Sequence, residues 1–251
     1  MPRGQPPSAR GCSLQECRRA KFSAPVGAPQ APSANISALS TQMAFRRSIS
    51  PPSFRRCSIY ELPLSHILEL IVSGPEVPGV PVGDTFSAMH ALVQTASQEV
   101  IVAGYSIYNG KEVFESLAQR MESIPELRVT FLVHIGREGK DTTIETDLVA
   151  RYANWFVSEN WPGKRLPDMY YGPRGLQMAA AMRSNFHPKC LLVDAEEALV
   201  TSANFTIAAQ KKNVEVGVKI SPILVARLRT YFLSLVERGD LKRVYLPRDS
   251  R

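Results

Sequence analysis

NFHPKCLLVDAEEALVTSANFTIAAQKKNVEVGV, residues 185–218, begins with a short apolar run carrying two polar residues at its head. In an extended strand, side chains at i and i+2 share a face. His187 and Lys189 therefore point the same way, Leu191 and Val193 continue that side, and Cys190 and Leu192 face the opposite layer. Asp194 ends the run, Thr201, Ser202, Ala203 and Asn204 follow a second apolar stretch, and Glu215 comes eleven residues after Asn204. An imidazole beside an ammonium on one face suits phosphate. Lysine neutralises a phosphoryl oxygen, while histidine can attack phosphorus or protonate a leaving oxygen. The hydroxyl of Ser202 and the amide of Asn204 can donate to the remaining oxygens as charge develops.

Outward from this window the pattern alternates. Residues 60–72 read as a short helix, and Asp84-Thr85 reads as a helix start, with Phe86, Met89 and Val93 recurring at helical spacing. Residues 99–107 and 127–135 are β-branched runs suited to strands buried on both faces, each followed by a helical pattern, over 111–123 and 142–157. After a looser stretch containing Trp155, Trp161, Tyr170 and Tyr171 come three short strands at 189–193, 198–201 and 214–220, then an amphipathic helix over 221–237. Strand–helix alternation followed by strands and a last helix predicts one α/β domain with a mixed central sheet.

Charge divides the chain. Of its 251 residues, the first 57 hold nine Lys/Arg against one acid, Glu16, a net +8, while the other 194 hold 21 basic and 22 acidic side chains, a net −1. The overall +7 is thus a property of the N-terminal segment, and it gives no sign that the domain itself binds nucleic acid. That segment also carries eight of the 19 prolines and nine serines without hydrophobic periodicity, which predicts a disordered basic tail over 1–57 and a domain over 58–251. A transit peptide, an arm that touches phosphates and a passenger extension all fit its composition. Cys12, Cys17, Cys57 and Cys190 form no CxxC pair and no zinc spacing, so a reducing, cytoplasmic compartment is expected. No run of eighteen apolar residues occurs, and no membrane-spanning helix is expected.

The spacing of His187, Lys189, Asp194, Ser202 and Asn204 resembles the HxK(x)4D(x)6GSxN signature of the phospholipase D superfamily, with Thr201 where that family usually has glycine. Ala103-Gly104-Tyr105-Ser106 is similar to the end of the family's first strand, and the likeness runs over roughly residues 80–240. The TSANFT segment, the NVEVGV strand and the YYGPRG stretch at 170–175 look like the phospholipase D-like component of DISARM anti-phage systems. The resemblance implies a phospholipase D-like α/β/α sandwich and a phosphodiesterase that works through a phosphohistidine without metal or cofactor. It implies His187 as nucleophile, Lys189 and Asn204 as phosphate clamp, Ser202 as supporting donor, and Asp194 and Glu215 as carboxylates that orient the imidazoles.

Such a site needs two motifs. His66, His90 and His134 lack a lysine at +2, so the resemblance implies a homodimer with a shared active site. It also points to nucleic acid, with DNA foremost, as substrate, and to a helicase and a methyltransferase of a defence system as partners, with no membrane. A phospholipase or phosphatidyltransferase, and a non-catalytic subunit that holds DNA or a partner, are the competing readings. Among single residues, His90 and His134 read as structural, Arg174 as a solvated loop residue or a substrate contact, and Tyr105 as core or pocket wall. Trp155 and Trp161 could stack on bases, although packing under a long loop is the simpler expectation. The GREGKDT stretch at 136–142 lacks both the first glycine and the Ser/Thr of a phosphate-binding P-loop. Glycine at 201 would permit close backbone approach or positive φ. Threonine is tolerable there if the backbone is simply extended.

Overall fold

A computed structural model describes residues 68–220 and 222–247; the predicted tail over 1–57 lies outside the described residues. The elements run β1 (Leu68–Ser73), β2 (Gly83–Asp84), α1 (Thr85–Thr95), β3 (Glu99–Gly104), α2 (Gly110–Val113), α3 (Glu115–Ser123), β4 (Arg128–Val133), α4 (Glu145–Trp155), β5 (Asp168–Tyr171), β6 (Lys189–Val193), β7 (Glu197–Thr201), α5 (Ile207–Lys211), β8 (Glu215–Ile220), α6 (Pro222–Glu237) and β9 (Lys242–Val244). The strands form one mixed sheet in the order β2-β1-β8-β7-β6-β3-β4-β5-β9. β3, β4 and β5 are parallel, joined by helical crossovers, whereas β3–β6, β6–β7, β7–β8 and β8–β1 are antiparallel.

Strand parity sorts the side chains into two apolar layers. Val100, Val102, Phe131, Leu191 and Val193 pack with Met89, Leu92 and Val93 of α1, Leu117 of α3 and Leu148 of α4. Ile101, Ala103, Leu132, Cys190 and Leu192 pack on the other face, under Val225 and Phe232 of α6. The sheet is thus covered on both sides, as the continuous apolar runs of β3, β4 and β6 require, and the α/β/α sandwich with a mixed central sheet is the observed fold.

Several elements follow local rules. Asp84 caps α1 by accepting from the Ser87 amide at 2.8 Å. The predicted helix over 111–123 is broken at Phe114 (φ −107°, ψ 12°), whose buried ring packs edge-on to Phe131 at 5.0 Å. Residues 60–72 do not form the expected helix where they are described: 68–73 are β1, with Leu70 exposed and Ile71 buried. The ladder partners of β1 lie in β8, where Ile71 faces Gly217 and Ser73 faces Glu215, so a pairing distant in sequence overrides the local pattern. β5 and β9 are too short, at four and three residues, for alternation to reveal them.

Candidate active site

Strand direction decides which motif residues meet. Because β6 runs antiparallel to β3 and β7, its start lies beside the ends of those two strands and the start of β8. Lys189 faces Gly104, Cys190 faces Val200, and Thr201 faces Gly217. His134 follows the end of β4, which is parallel to β3 and in step with it. One end of the sheet therefore gathers Tyr105, His134, His187, Lys189, the Thr201–Asn204 turn and Glu215.

His187 is exposed, and Lys189 is only 7% exposed. The Lys189 Nζ lies 3.0 Å from His187 Nδ1 and 3.3 Å from Nε2, and donates to the His187 carbonyl at 3.3 Å. Burial pulls the Lys189 ammonium below its ordinary pKa, and the carboxylate of Glu215 opposes that shift. A cation removed from water in this way is stabilised by any anion that reaches it. The Tyr105 ring stands between two imidazoles, 4.2 Å from His187 and stacked on His134 at 4.9 Å, with Lys189 Nζ 5.2 Å from its centroid.

His134 was expected to be structural. It is half-buried at the strand end, where burial first and then His187 hold it below the usual imidazole range. Its Nδ1 accepts from the Phe186 amide at 3.4 Å, which leaves the proton on Nε2. Gly175, the last residue of the YYGPRG stretch, makes room for that ring: a Cβ there would lie 2.7 Å from His134 Cε1 and 2.5 Å from the Ile135 carbonyl. Parallel strands ending in step were the available signal for His134.

The carboxylates and the turn behave less simply. Asp194 sits at the far end of β6, five strand residues and on the order of 16 Å from Lys189. There it adopts positive φ (50°) and accepts from the amides of Ser97, Gln98 and Glu99 and from the Ser97 hydroxyl, at 2.7–2.8 Å. Burial would raise its pKa, but these four donors hold it below the usual carboxylate range. With every bond committed to the start of β3, Asp194 fixes strand register and does not orient the imidazole of its own chain.

Ser202 donates to Glu215 Oε2 at 2.5 Å, and its oxygen accepts from the Val216 amide at 3.1 Å. The hydroxyl expected to face phosphate is therefore turned to Glu215, and Glu215 bears on the site through its charge on Lys189 and not through a contact with the imidazole. The Asn204 Oδ1 is buried with no partner among the described residues. Thr201 stands in extended strand, where its Oγ1 accepts from the Ala203 amide at 3.0 Å. Its side chain lies over Gly217, where an added Cβ would meet Thr201 Cβ at 2.7 Å. The glycine that the motif lacks at 201 is supplied by the facing strand.

Arg174 is exposed. The tryptophans separate: Trp161 is 3% exposed and donates to the Arg165 carbonyl at 2.9 Å, whereas Trp155 is half-buried beside Tyr108 and Tyr152. Among the described residues no group of three or more His, Cys, Asp or Glu side chains is placed to hold a metal ion, and no helix is long and apolar enough to cross a membrane.

The chain was compared with known families and structures. A family model described as cardiolipin synthase, PLD-like domain, matches residues 89–236. The DISARM protein DrmC of Bacillus paralicheniformis is 22% identical over 179 residues, covering 70% of this chain, and the chain spans 66% of that relative's length. Among solved structures, the phospholipase D family member Nuc from Salmonella typhimurium has a TM-score of 0.45 at 15% identity, covering 72% of this chain and 98% of Nuc. NucT from Helicobacter pylori has a TM-score of 0.43 at 14% identity, over 61% of this chain and 87% of NucT. With the family model spanning more than half of its length, the chain belongs to the phospholipase D-like family.

Proposed function

We propose that the protein is a metal-independent phosphodiesterase that acts on nucleic acid through a phosphohistidine, as a cytoplasmic component of anti-phage defence. The observation that carries this reading is the nearly buried Lys189 ammonium held 3.0 Å from the exposed imidazole of His187. A phosphodiester arriving at this sheet end offers the anion that Lys189 lacks. Once the ammonium turns from the ring to a phosphoryl oxygen, an imidazole nitrogen is free to attack.

The P–N bond forms as the P–O ester bond breaks, and the leaving oxygen takes a proton from a second imidazole. Water then attacks phosphorus, its proton returns to that imidazole, and the P–N bond breaks to release His187. The second imidazole is assigned to His187 of another copy of the chain, in a homodimer with the two sheet ends facing across a two-fold axis. Asn204 completes the clamp, and Glu215 and Ser202 keep the Lys189 side of the site polar and ordered. Asp194 contributes through strand register alone. Similarity to DrmC supports placement in a DISARM-type system, and a helicase and a methyltransferase are the partners proposed there.

The test is cleavage of single-stranded DNA, duplex DNA, RNA and phosphatidylcholine micelles in EDTA, comparing wild type with His187→Ala. Cleavage of a nucleic acid that disappears in the variant is the expected result. Lipid turnover alone would replace the substrate class with that of a phospholipase or phosphatidyltransferase. Retained binding with no turnover of any substrate would leave a DNA- or partner-holding subunit.

A further inference from the structure

A cavity of about 700 Å³ opens directly beside the phosphate site, with Tyr105 and His134 forming the wall between the two. Its volume lies within the range of small-molecule sites. The opposite wall is aromatic. Tyr108, 58% exposed, meets Trp155 edge-on at 5.5 Å between ring centroids, and Tyr152 lies 5.4 Å from Trp155 on the other side. Tyr108 is not a loose surface side chain, because its ring packs on Trp155 while its amide donates to the Phe205 carbonyl at 3.1 Å and ties its backbone to the turn after Asn204. An aromatic ring that remains exposed while its backbone is pinned offers a fixed stacking platform.

The rim is cationic. Arg137, Arg151 and Arg183 line the cavity against Glu138 and Asp141. Arg183 donates to the carbonyls of Arg137, Gly139, Gln177 and Met178, and Arg137 to those of Asp141, Thr143 and Leu176. Both guanidinium groups are thus held in place by backbone carbonyls, and Asp141, engaged with the Thr143 amide, lies near enough to Arg151 and Arg137 for their charges to help lower its pKa.

An exposed ring face with a second aromatic ring set edge-on to it, fixed cations and a phosphate-handling site one ring away match the parts of a single nucleotide in their covalent order. We propose that this cavity receives an unpaired nucleobase next to the scissile phosphate, stacked on Tyr108 and Trp155, so that the substrate is single-stranded nucleic acid. This assignment rests on the phosphodiesterase reading for the neighbouring site. A base held in a duplex cannot enter, since its faces are already stacked. The aromatic wall reads no base edge, so selection acts on strandedness more than on sequence.

The experiment measures equilibrium binding of fluorescein-labelled dT12, and of a twelve-unit abasic strand with the same phosphates, to the full-length His187→Ala protein, which prevents turnover. The thymidine strand is expected to bind about tenfold or more tightly than the abasic one. Trp155→Ala and Tyr108→Ala should each remove most of that preference and leave abasic affinity unchanged, while Trp155→Phe should retain it. Tyr108 is exposed enough that its variant separates loss of stacking from loss of fold. Equal affinity for the two strands would overturn the proposal, as would a preference that survives in both alanine variants. Hydrolysis of bis(p-nitrophenyl) phosphate by wild type in EDTA, which needs no base, reads the phosphodiesterase assignment separately. Its absence alongside an intact base preference would refute that assignment and keep the base subsite.

Discussion

Gly217 and Thr201 face each other across β7 and β8, and their bulk is coupled. A Cβ added at Gly217 would lie 2.7 Å from Thr201 Cβ, 2.8 Å from the Val200 carbonyl oxygen and 2.9 Å from Thr201 Oγ1. Two of these neighbours are fixed by the strand, so relief must come from moving backbone, and Gly217→Ala should cost about 2 kcal/mol. Thr201→Gly alone loses the bond to the Ala203 amide and adds chain entropy, for about 1 kcal/mol. In the double variant both contacts with the Thr201 side chain are gone and only that with the Val200 oxygen remains, so total destabilisation should be about 1.5 kcal/mol instead of the additive 3, a coupling of about 1.5 kcal/mol. Urea unfolding followed by circular dichroism resolves this, since a typical dependence of about 2 kcal/mol per molar converts 2 kcal/mol into a midpoint shift of about 1 M. Additivity within about 0.5 kcal/mol would refute the view that Gly217 accommodates Thr201.

Three other outcomes are expected. Asp194 has its carboxyl held low in the folded state, so its contribution is present above the unfolded carboxylate value of about 3.9 and is lost as pH falls through the lower folded value. The gap in unfolding free energy between wild type and Asp194→Asn, about 1 kcal/mol at pH 6 given the site's partial exposure, should therefore narrow as pH falls below about 3.9, and a gap that widens on acidification contradicts the bonding described. Glu215→Gln removes the charge that opposes the burial of Lys189, so the alkaline limb of inorganic phosphate binding, measured by titration calorimetry across pH, should move to lower pH; an unmoved limb would mean that Lys189 does not carry the affinity. Deleting residues 1–57, with their nine Lys/Arg, should flatten the salt dependence of DNA binding in a fluorescence titration, and an unchanged slope would make that segment a bystander.

The sandwich was legible because β3, β4 and β6 are apolar on both faces and the helices between them keep a 3.6-residue rhythm. β5 and β9 were not, at four and three residues, and β1 is defined by its pairing with β8 more than by its own side chains. In the site, residues two apart on one strand fixed the relation of His187 to Lys189. The five-residue step from Lys189 to Asp194 separates them, on the same geometry, by the length of the strand. The pairing of Thr201 with Gly217 and the arrival of His134 depend on register between strands, which spacing within one strand does not contain.

The pairing of β1 with β8 has a consequence for biosynthesis. Ser73 meets Glu215 and Leu68 meets Ile220, so the ladder that seats Glu215 joins the first strand of the sheet to the eighth. Contacts so remote in sequence close late, after the entropy of the long loop between them has been met. A growing polypeptide that has already emerged through Asn204 still lacks the partner of Ser202 and the cover of α6. On the function proposed above, a chain that ends before β8 lacks Glu215, and with it the charge that opposes the burial of Lys189.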